Sequence, residues 1–181
     1  MTLANKLTIG RMFATPIIFI LYYLRVPNAM LWIAIILILA SITDAIDGHV
    51  ARKSGTVTDF GKIMDPIADK ILVLSAIVLL VDANLLHGVF ALVFIGRDVL
   101  ISGIRLVLLS RDGEVLAASW LGKCKTVFQD IAIVVLFFMQ SLPFLKSFYI
   151  ADALVWIAVI FTIWSAVDYI HGTNTLNTHK G

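Results

Sequence analysis

Six long apolar runs, separated by short turn-forming clusters, organise this chain. They cover residues 7–24, 30–51, 60–81, 88–109, 120–140 and 150–170. The breaks between them hold residues that favour turns, such as Pro27, Gly55 and Pro143. A helix that crosses a membrane needs about 20 mostly apolar residues. The pattern therefore predicts an all-α integral membrane protein with six transmembrane helices.

Charged residues enter most of these runs near one end. Only residues 26–43 form a charge-free run of the usual membrane-spanning length. A charged side chain at membrane depth must face other protein groups or water. We therefore expect the charged helix ends to converge on a polar cavity.

Basic residues are distributed unevenly about the six predicted helices. One side holds Lys6, Arg11, Arg52, Lys53, Arg111, Lys123, Lys125 and Lys180, whereas the other holds Arg25 and Lys146. The loops of a membrane protein that carry more Lys and Arg are the cytoplasmic ones. The asymmetry predicts a multi-pass protein of the cytoplasmic (inner) membrane. Both termini and the opening of the cavity would face the cytoplasm.

Composition supports a membrane protein and argues against a nucleic-acid-binding protein. The 181 residues are 60% hydrophobic and 14% charged, whereas a soluble domain averages about 45–50% apolar and about 25% charged residues. The net charge of +2 is too small to indicate nucleic-acid binding. Connections between the runs are short, so we predict one membrane domain over residues 1–181.

Four aspartates are the main candidates for a functional site. Asp44 and Asp47 are three residues apart, and Asp65 and Asp69 are four apart. On a helix, either spacing places two side chains on one face. The segment between the pairs is long enough to turn back, so the two helices would present their aspartates to each other. Carboxylates at membrane depth need a strong compensating partner.

Divalent cations are the compensating partner that best suits this acidic group. An all-oxygen ligand set favours Mg²⁺ or Mn²⁺, and four carboxylates could hold two ions, as in displacements at phosphorus. Gly48, Ala51 and Gly61 would leave room for a bulky ligand, and Arg52 could pair with a phosphate. The alternative is that the aspartates only pair with nearby Lys and Arg at the membrane surface. Four at helical spacing favour the metal site.

These residues complete a motif that resembles that of the CDP-alcohol phosphatidyltransferase family. It reads Asp44-x2-Asp47-Gly48-x2-Ala51-Arg52-x8-Gly61-x3-Asp65-x3-Asp69, and every fixed position is filled. The resemblance implies six membrane helices, usually in a homodimer, with a site open to the cytoplasmic leaflet. It also implies transfer of a phosphatidyl group from a CDP-linked lipid to an alcohol, with release of CMP.

The resemblance also implies residue roles. The four aspartates would hold two metal ions, and Asp69 would also be the general base for the acceptor hydroxyl. The CDP moiety would contact Gly48, Ala51, Arg52 and Gly61.

Blocks elsewhere in the chain resemble the branch of this family that uses sn-glycerol 3-phosphate, the phosphatidylglycerophosphate synthases. They are residues 5–11, 96–98, 102–105, 117–119 and 122–126. Asp98 stands where this resemblance leads us to expect glutamate. The donor would be CDP-diacylglycerol and the product phosphatidylglycerophosphate. The candidates for binding the acceptor phosphate are Arg105, Lys123, Lys125, Thr8 and Arg11, while Arg97 and Asp98 are expected to pair with each other.

Two alternative functions stay open. Within the family, the acceptor could instead be inositol phosphate or phosphatidylglycerol. From another class, the aspartates could line the path of a divalent-cation transporter. Clustering of the acids at one end and the lack of an internal repeat argue against transport, because many transporters contain inverted repeats.

Overall fold

A computed structural model describes the backbone of residues 3–54, 59–112, 120–142 and 148–178. It describes side chains over residues 9–43, 67–68, 70–104, 107, 120–142 and 150–171. Within these residues the chain forms six α-helices and no β-strand. They are α1 (Leu3–Tyr23), α2 (Ala29–Ser54), α3 (Asp59–Asp82), α4 (Gly88–Asp112), α5 (Trp120–Ser141) and α6 (Phe148–Thr178). The prediction of an all-α chain with six helices is confirmed.

Helix ends differ from the sequence prediction mainly at α6. This helix continues to Thr178, past the predicted end at residue 170. An apolar run marks only the part of a helix that is shielded from water, whereas backbone hydrogen bonding can continue into the polar residues beyond it. The sequence therefore predicts where apolar helices lie better than where they end.

The structure divides into two compact units. The first comprises Met1–Leu85 and Ile133–Lys146, and in it α1 packs against both α2 and α3. Its core is apolar and includes Ile18, Ile33 and Ile77, which have no exposed surface. Helix α1 therefore contacts both of the helices that carry the aspartate motif.

The second unit comprises Leu86–Ala132 and Ser147–Gly181. Helix α4 packs against α6, and the rings of Phe90 and Trp156 meet edge to face at 5.0 Å. The first part of α5 joins α6 through stacked Phe128 and Phe161 rings, whose centroids are 4.7 Å apart. Aromatic contacts therefore connect all three helices of this unit.

Helix α6 carries polar groups on its buried face and large apolar groups on its exposed face. Thr162 and Ser165 are 0% and 1% exposed, whereas Ile160 and Trp164 are each 57% exposed. Each buried hydroxyl donates to a carbonyl of its own helix, Thr162 to Ala158 and Ser165 to Thr162. A surface facing water rarely exposes so many large apolar groups. A hydrocarbon environment accounts for this arrangement.

The length and apolar composition of α6 also fit a hydrocarbon environment. Among the described residues, Ile150–His171 of α6 is the one segment long and apolar enough to cross a membrane. Helices α1 and α2 contain shorter apolar stretches, Ile9–Tyr23 and Ala29–Thr43. The stretch in α2 ends at the last described side chain before the aspartate motif.

Candidate functional site

The eight motif residues all lie on two consecutive helices. The second half of α2 carries Asp44, Asp47, Gly48, Ala51 and Arg52, and the first half of α3 carries Gly61, Asp65 and Asp69. This confirms that both aspartate pairs lie on helices. The side chains of all eight residues lie outside the part of the chain whose side chains are described.

Helix geometry brings each pair of aspartates to one turn of one helix. Residues three or four apart on an α-helix are surface neighbours, so Asp44 lies beside Asp47 and Asp65 beside Asp69. Only residues 55–58 join α2 to α3. Helices joined by so short a link usually lie side by side, and both of these pack against α1. The facing arrangement of the two pairs stays a prediction, because their side chains lie outside the described part.

The donor chemistry of these helix ends suits a hard divalent cation. Aspartate supplies only oxygen ligands, which Mg²⁺ and Mn²⁺ prefer. Among the side chains that the structure describes, no group of three or more His, Cys, Asp or Glu residues could hold a metal. The motif aspartates are not among those side chains, so their role as metal ligands stays a prediction.

A second charged cluster lies in the other unit, between α4 and α5. Asp98 Oδ1 accepts hydrogen bonds from Arg97 Nη1 at 3.1 Å and from Lys125 Nζ at 2.5 Å. The Lys125 side chain is 2% exposed and the Asp98 side chain 13%. A buried lysine without a carboxylate partner is costly, so this ion pair ties α5 to α4. The predicted pairing of Arg97 with Asp98 is confirmed, and the contact with Lys125 was not predicted.

The predicted acceptor-phosphate residues are distributed over both units. Arg11, in α1 of the first unit, is 4% exposed, and Lys125 is the buried lysine of the second unit. Lys123 is exposed on α5, two residues before it. Thr8 and Arg105 lie on α1 and α4, but their side chains lie outside the described part. A buried arginine in an apolar helix is a functional candidate by default, because its desolvation is costly.

Sequence reasoning missed two buried polar groups beside these cations. Thr15 follows Arg11 by four residues, and Gln129 follows Lys125 by four, so each lies one turn further along the same helix. Within the described part of the chain, neither Thr15 Oγ1 nor Gln129 Oε1 has a hydrogen-bond partner. A buried polar oxygen normally has one. The sequence feature that could have identified Thr15 and Gln129 is their spacing of four residues from a candidate cation.

Comparison with known proteins decides between the possible classes. Residues 1–164 match the CDP-alcohol phosphatidyltransferase family. The chain belongs to this family. It is therefore a transferase of phospholipid synthesis.

Several relatives cover nearly the whole chain. A CDP-diacylglycerol–glycerol-3-phosphate 3-phosphatidyltransferase of Bacillus subtilis is 42% identical over an alignment of 180 positions, and the alignment covers 92% of this chain and 92% of its own. One of the same name from Rickettsia bellii is 36% identical over 168 residues, again 92% of each chain. A CMP-forming cardiolipin synthase of Oryza sativa subsp. japonica is 34% identical, over 94% of this chain and 56% of its own. The chain is thus similar both to CDP-diacylglycerol–glycerol-3-phosphate 3-phosphatidyltransferases and to a CMP-forming cardiolipin synthase.

Proposed function

We propose that this chain transfers the phosphatidyl group of CDP-diacylglycerol to sn-glycerol 3-phosphate, giving phosphatidylglycerophosphate and CMP. The observation that carries the proposal is the complete aspartate motif on two consecutive helices of a family member. The names of the Bacillus and Rickettsia relatives support this donor and acceptor. The cardiolipin synthase supports phosphatidylglycerol as the second candidate acceptor.

The reaction we propose is a single displacement at phosphorus. The acceptor hydroxyl oxygen forms a bond to the phosphorus that carries diacylglycerol, and the bond from that phosphorus to the oxygen of CMP breaks. Asp69 takes the hydroxyl proton, because an alcohol is a weak nucleophile until a base within hydrogen-bond reach removes its proton. Gly48, Ala51, Arg52 and Gly61 hold the CDP moiety, with Arg52 paired to a phosphate.

Asp44, Asp47, Asp65 and Asp69 would hold two divalent cations, Mg²⁺ or Mn²⁺. Bound there, the ions would neutralise charge on the diphosphate and on the departing CMP. The support is the oxygen-only donor set and its division into two pairs on neighbouring helices.

The acceptor phosphate would be held by Arg105, Lys123, Lys125, Thr8 and Arg11. The support from the structure is burial, since Arg11 and Lys125 are the two buried cations among the described side chains. Asp98 would position Lys125 through their shared hydrogen bond.

We further propose that all six helices cross the cytoplasmic membrane, with both termini in the cytoplasm, and that the enzyme acts as a homodimer. Exposed apolar surface supports membrane insertion beyond α6, for example Phe13 on α1 and Leu92 on α4, which are 65% and 71% exposed. The excess of Lys and Arg on one side supports the orientation. In this arrangement the aspartate motif and the proposed catalytic cavity lie at the cytoplasmic leaflet.

An acceptor panel tests the substrate assignment. Purified protein with CDP-diacylglycerol should release CMP and form phosphatidylglycerophosphate with sn-glycerol 3-phosphate. Phosphatidylglycerol, inositol phosphate and water should give little CMP. Product identification by mass spectrometry and CMP release provide two independent readouts. Product with phosphatidylglycerol but none with sn-glycerol 3-phosphate would transfer the assignment to the alternative acceptor.

Removal of divalent ions should abolish transfer, because the aspartates would otherwise repel the diphosphate of the donor. CMP release should stop in excess chelator and return when Mg²⁺ or Mn²⁺ is added. Measuring CMP release and ion flux with the same protein in liposomes distinguishes an enzyme from a cation transporter. Metal-dependent CMP release without ion flux is expected, and flux without CMP release would overturn the proposal.

A further inference from the structure

A polar cavity of about 600 Å³ lies at the end of the first unit that is remote from the aspartate motif. The end of α1, the start of α2 and the ends of α3 and α5 form its wall, with Tyr22, Arg25, Asn28, Asp82 and Gln140 as polar lining. Asp44 lies roughly 22 Å further along α2 from Ala29, at 1.5 Å per residue. The cavity is large enough for a small-molecule ligand and is separate from the proposed catalytic site.

Arg25 occupies a backbone position that favours glycine. Its N–H bonds to the carbonyl of Tyr22 at 3.1 Å, and the Val26 N–H bonds to the carbonyl of Leu21 at 3.2 Å. These two bonds form a Schellman cap, in which the left-handed residue is usually glycine. Arg25 has a φ of 51° there, a conformation that is unfavourable for a side chain with a Cβ. Replacing Arg25 with glycine would therefore remove a cation from the cavity wall without straining the backbone.

The cap of α3 gives an internal comparison. Asn84, with a φ of 57°, makes the same pair of bonds at the end of α3. Asparagine tolerates the left-handed conformation better than most residues and is the usual alternative to glycine at this position. The backbone geometry at the two helix ends is the same, and only the first of them places a cation in the cavity wall.

The cavity presents separate positive and negative groups. Within the described part of the chain, neither Arg25 nor Asp82 forms an ion pair. A ligand that carried one charge of either sign would meet one repulsive group. A zwitterion with phosphate near Arg25 and ammonium near Asp82 would satisfy both. The Asn28 and Gln140 amide oxygens could accept further hydrogen bonds from a primary ammonium.

We propose that this cavity binds the headgroup of a phospholipid that carries a phosphate and a primary ammonium, as phosphatidylethanolamine does. A lipid is favoured over a soluble phosphoamine because apolar surface adjoins the cavity: Leu24 is 72% exposed and Ile20 is 54% exposed. Acyl chains could cover that surface. Exposed tyrosine at Tyr23 suits a membrane interface. The inference rests on the membrane placement under the proposed function, but it concerns a different site.

Lipid titration of the delipidated full-length protein, followed by native mass spectrometry, tests the site. Phosphatidylethanolamine should bind more tightly than phosphatidylglycerol or phosphatidylcholine of the same chain length. Arg25→Gly should weaken phosphatidylethanolamine binding about tenfold or more, because a charge-assisted hydrogen bond is lost. Asp82→Asn should remove the preference for phosphatidylethanolamine over phosphatidylglycerol.

Two matched variants control for loss of fold and of charge. Asn84→Gly makes the same backbone change at the α3 cap, and Asp152→Asn removes an exposed carboxylate that does not line the cavity. Both should bind lipid as the unmodified chain does. Arg25→Gly should remain folded, because glycine relieves the left-handed conformation. Transferase activity, measured on the same samples, should be unchanged in all four variants.

Three results would overturn the lipid site. The first is equal affinity of the protein for phosphatidylethanolamine, phosphatidylglycerol and phosphatidylcholine. The second is an Arg25→Gly variant that binds phosphatidylethanolamine as tightly as the unmodified chain. The third is soluble O-phosphoethanolamine that competes for the site as strongly as the lipid does. The binding readout does not depend on turnover. If transferase activity is intact but the predicted order of lipid affinities is not found, only the lipid site is refuted. If that order is found but the protein has no transferase activity, only the proposed function is refuted.

Discussion

Replacing Asp69 with Asn is expected to reduce phosphatidyl transfer by roughly a thousandfold, since general-base catalysis contributes on the order of 10²–10⁴. Asparagine has nearly the same shape as aspartate but cannot accept the hydroxyl proton. It also removes one negative ligand from the proposed metal site. CMP release at saturating donor, acceptor and Mg²⁺ measures the loss. Circular dichroism and size-exclusion chromatography of the purified variant should match those of the unmodified chain.

The exposed carboxylate Asp152 provides the matched control for Asp69→Asn. Asp152→Asn makes the same chemical change on α6, outside the motif, and should keep full activity. The dependence on metal concentration separates the two roles of Asp69. If excess Mg²⁺ restored the turnover of Asp69→Asn to the unmodified level, Asp69 would be a ligand and not the base. Retained activity at ordinary Mg²⁺ would refute both roles.

The six helices could be predicted because each contains an apolar run of nearly membrane-spanning length. The predicted starts of α4 at Gly88 and of α5 at Trp120 are confirmed. The helical location of the aspartate pairs was also predictable, since both pairs lie within runs long enough to form membrane-spanning helices. The end of α6 was not predictable to the same degree, because the polar residues after 170 give no apolar pattern to follow.

Contacts between helices could not be predicted in the same way. The sequence placed Asp98 and Lys125 on different helices but did not define how those helices are rotated or shifted along each other. Their 2.5 Å contact depends on both. The cavity beside Arg25 has the same origin, because its wall combines the turn between α1 and α2 with the ends of α3 and α5, which are distant from that turn in sequence. The spacing of apolar residues shows which face of a helix is buried. It contains little information about which helices pack against each other.

Asp98→Asn is expected to destabilise the protein more than Lys125→Met does. Asparagine keeps an acceptor oxygen but removes the negative charge that Lys125 and Arg97 share in a mostly buried cluster. Loss of one partner of a buried pair costs about 3–5 kcal/mol. Lys125→Met is milder, because Asp98 keeps its hydrogen bond to Arg97 and methionine fills similar volume. Thermal unfolding in detergent should show this order.

The double variant Asp98→Asn with Lys125→Met completes the comparison. It should be more stable than Asp98→Asn alone, since Lys125, the buried cation that lost its compensating negative charge, is then gone. Such non-additivity is the sign of direct coupling. Additive losses would contradict the ion pair as a stabilising contact.

Substrate kinetics separate a structural lysine from one that binds the acceptor. If Lys125 holds the acceptor phosphate, Lys125→Met should raise the KM for sn-glycerol 3-phosphate about tenfold or more, because a hydrogen bond to a charged group is lost. The KM for CDP-diacylglycerol should not change, and Lys125→Arg should recover part of the acceptor affinity. Lys123→Met, two residues away at an exposed position, should have a smaller effect. If a stable Lys125→Met enzyme had an unchanged KM for sn-glycerol 3-phosphate, the role of Lys125 would be limited to the ion pair with Asp98. The remaining cations would then bind the acceptor.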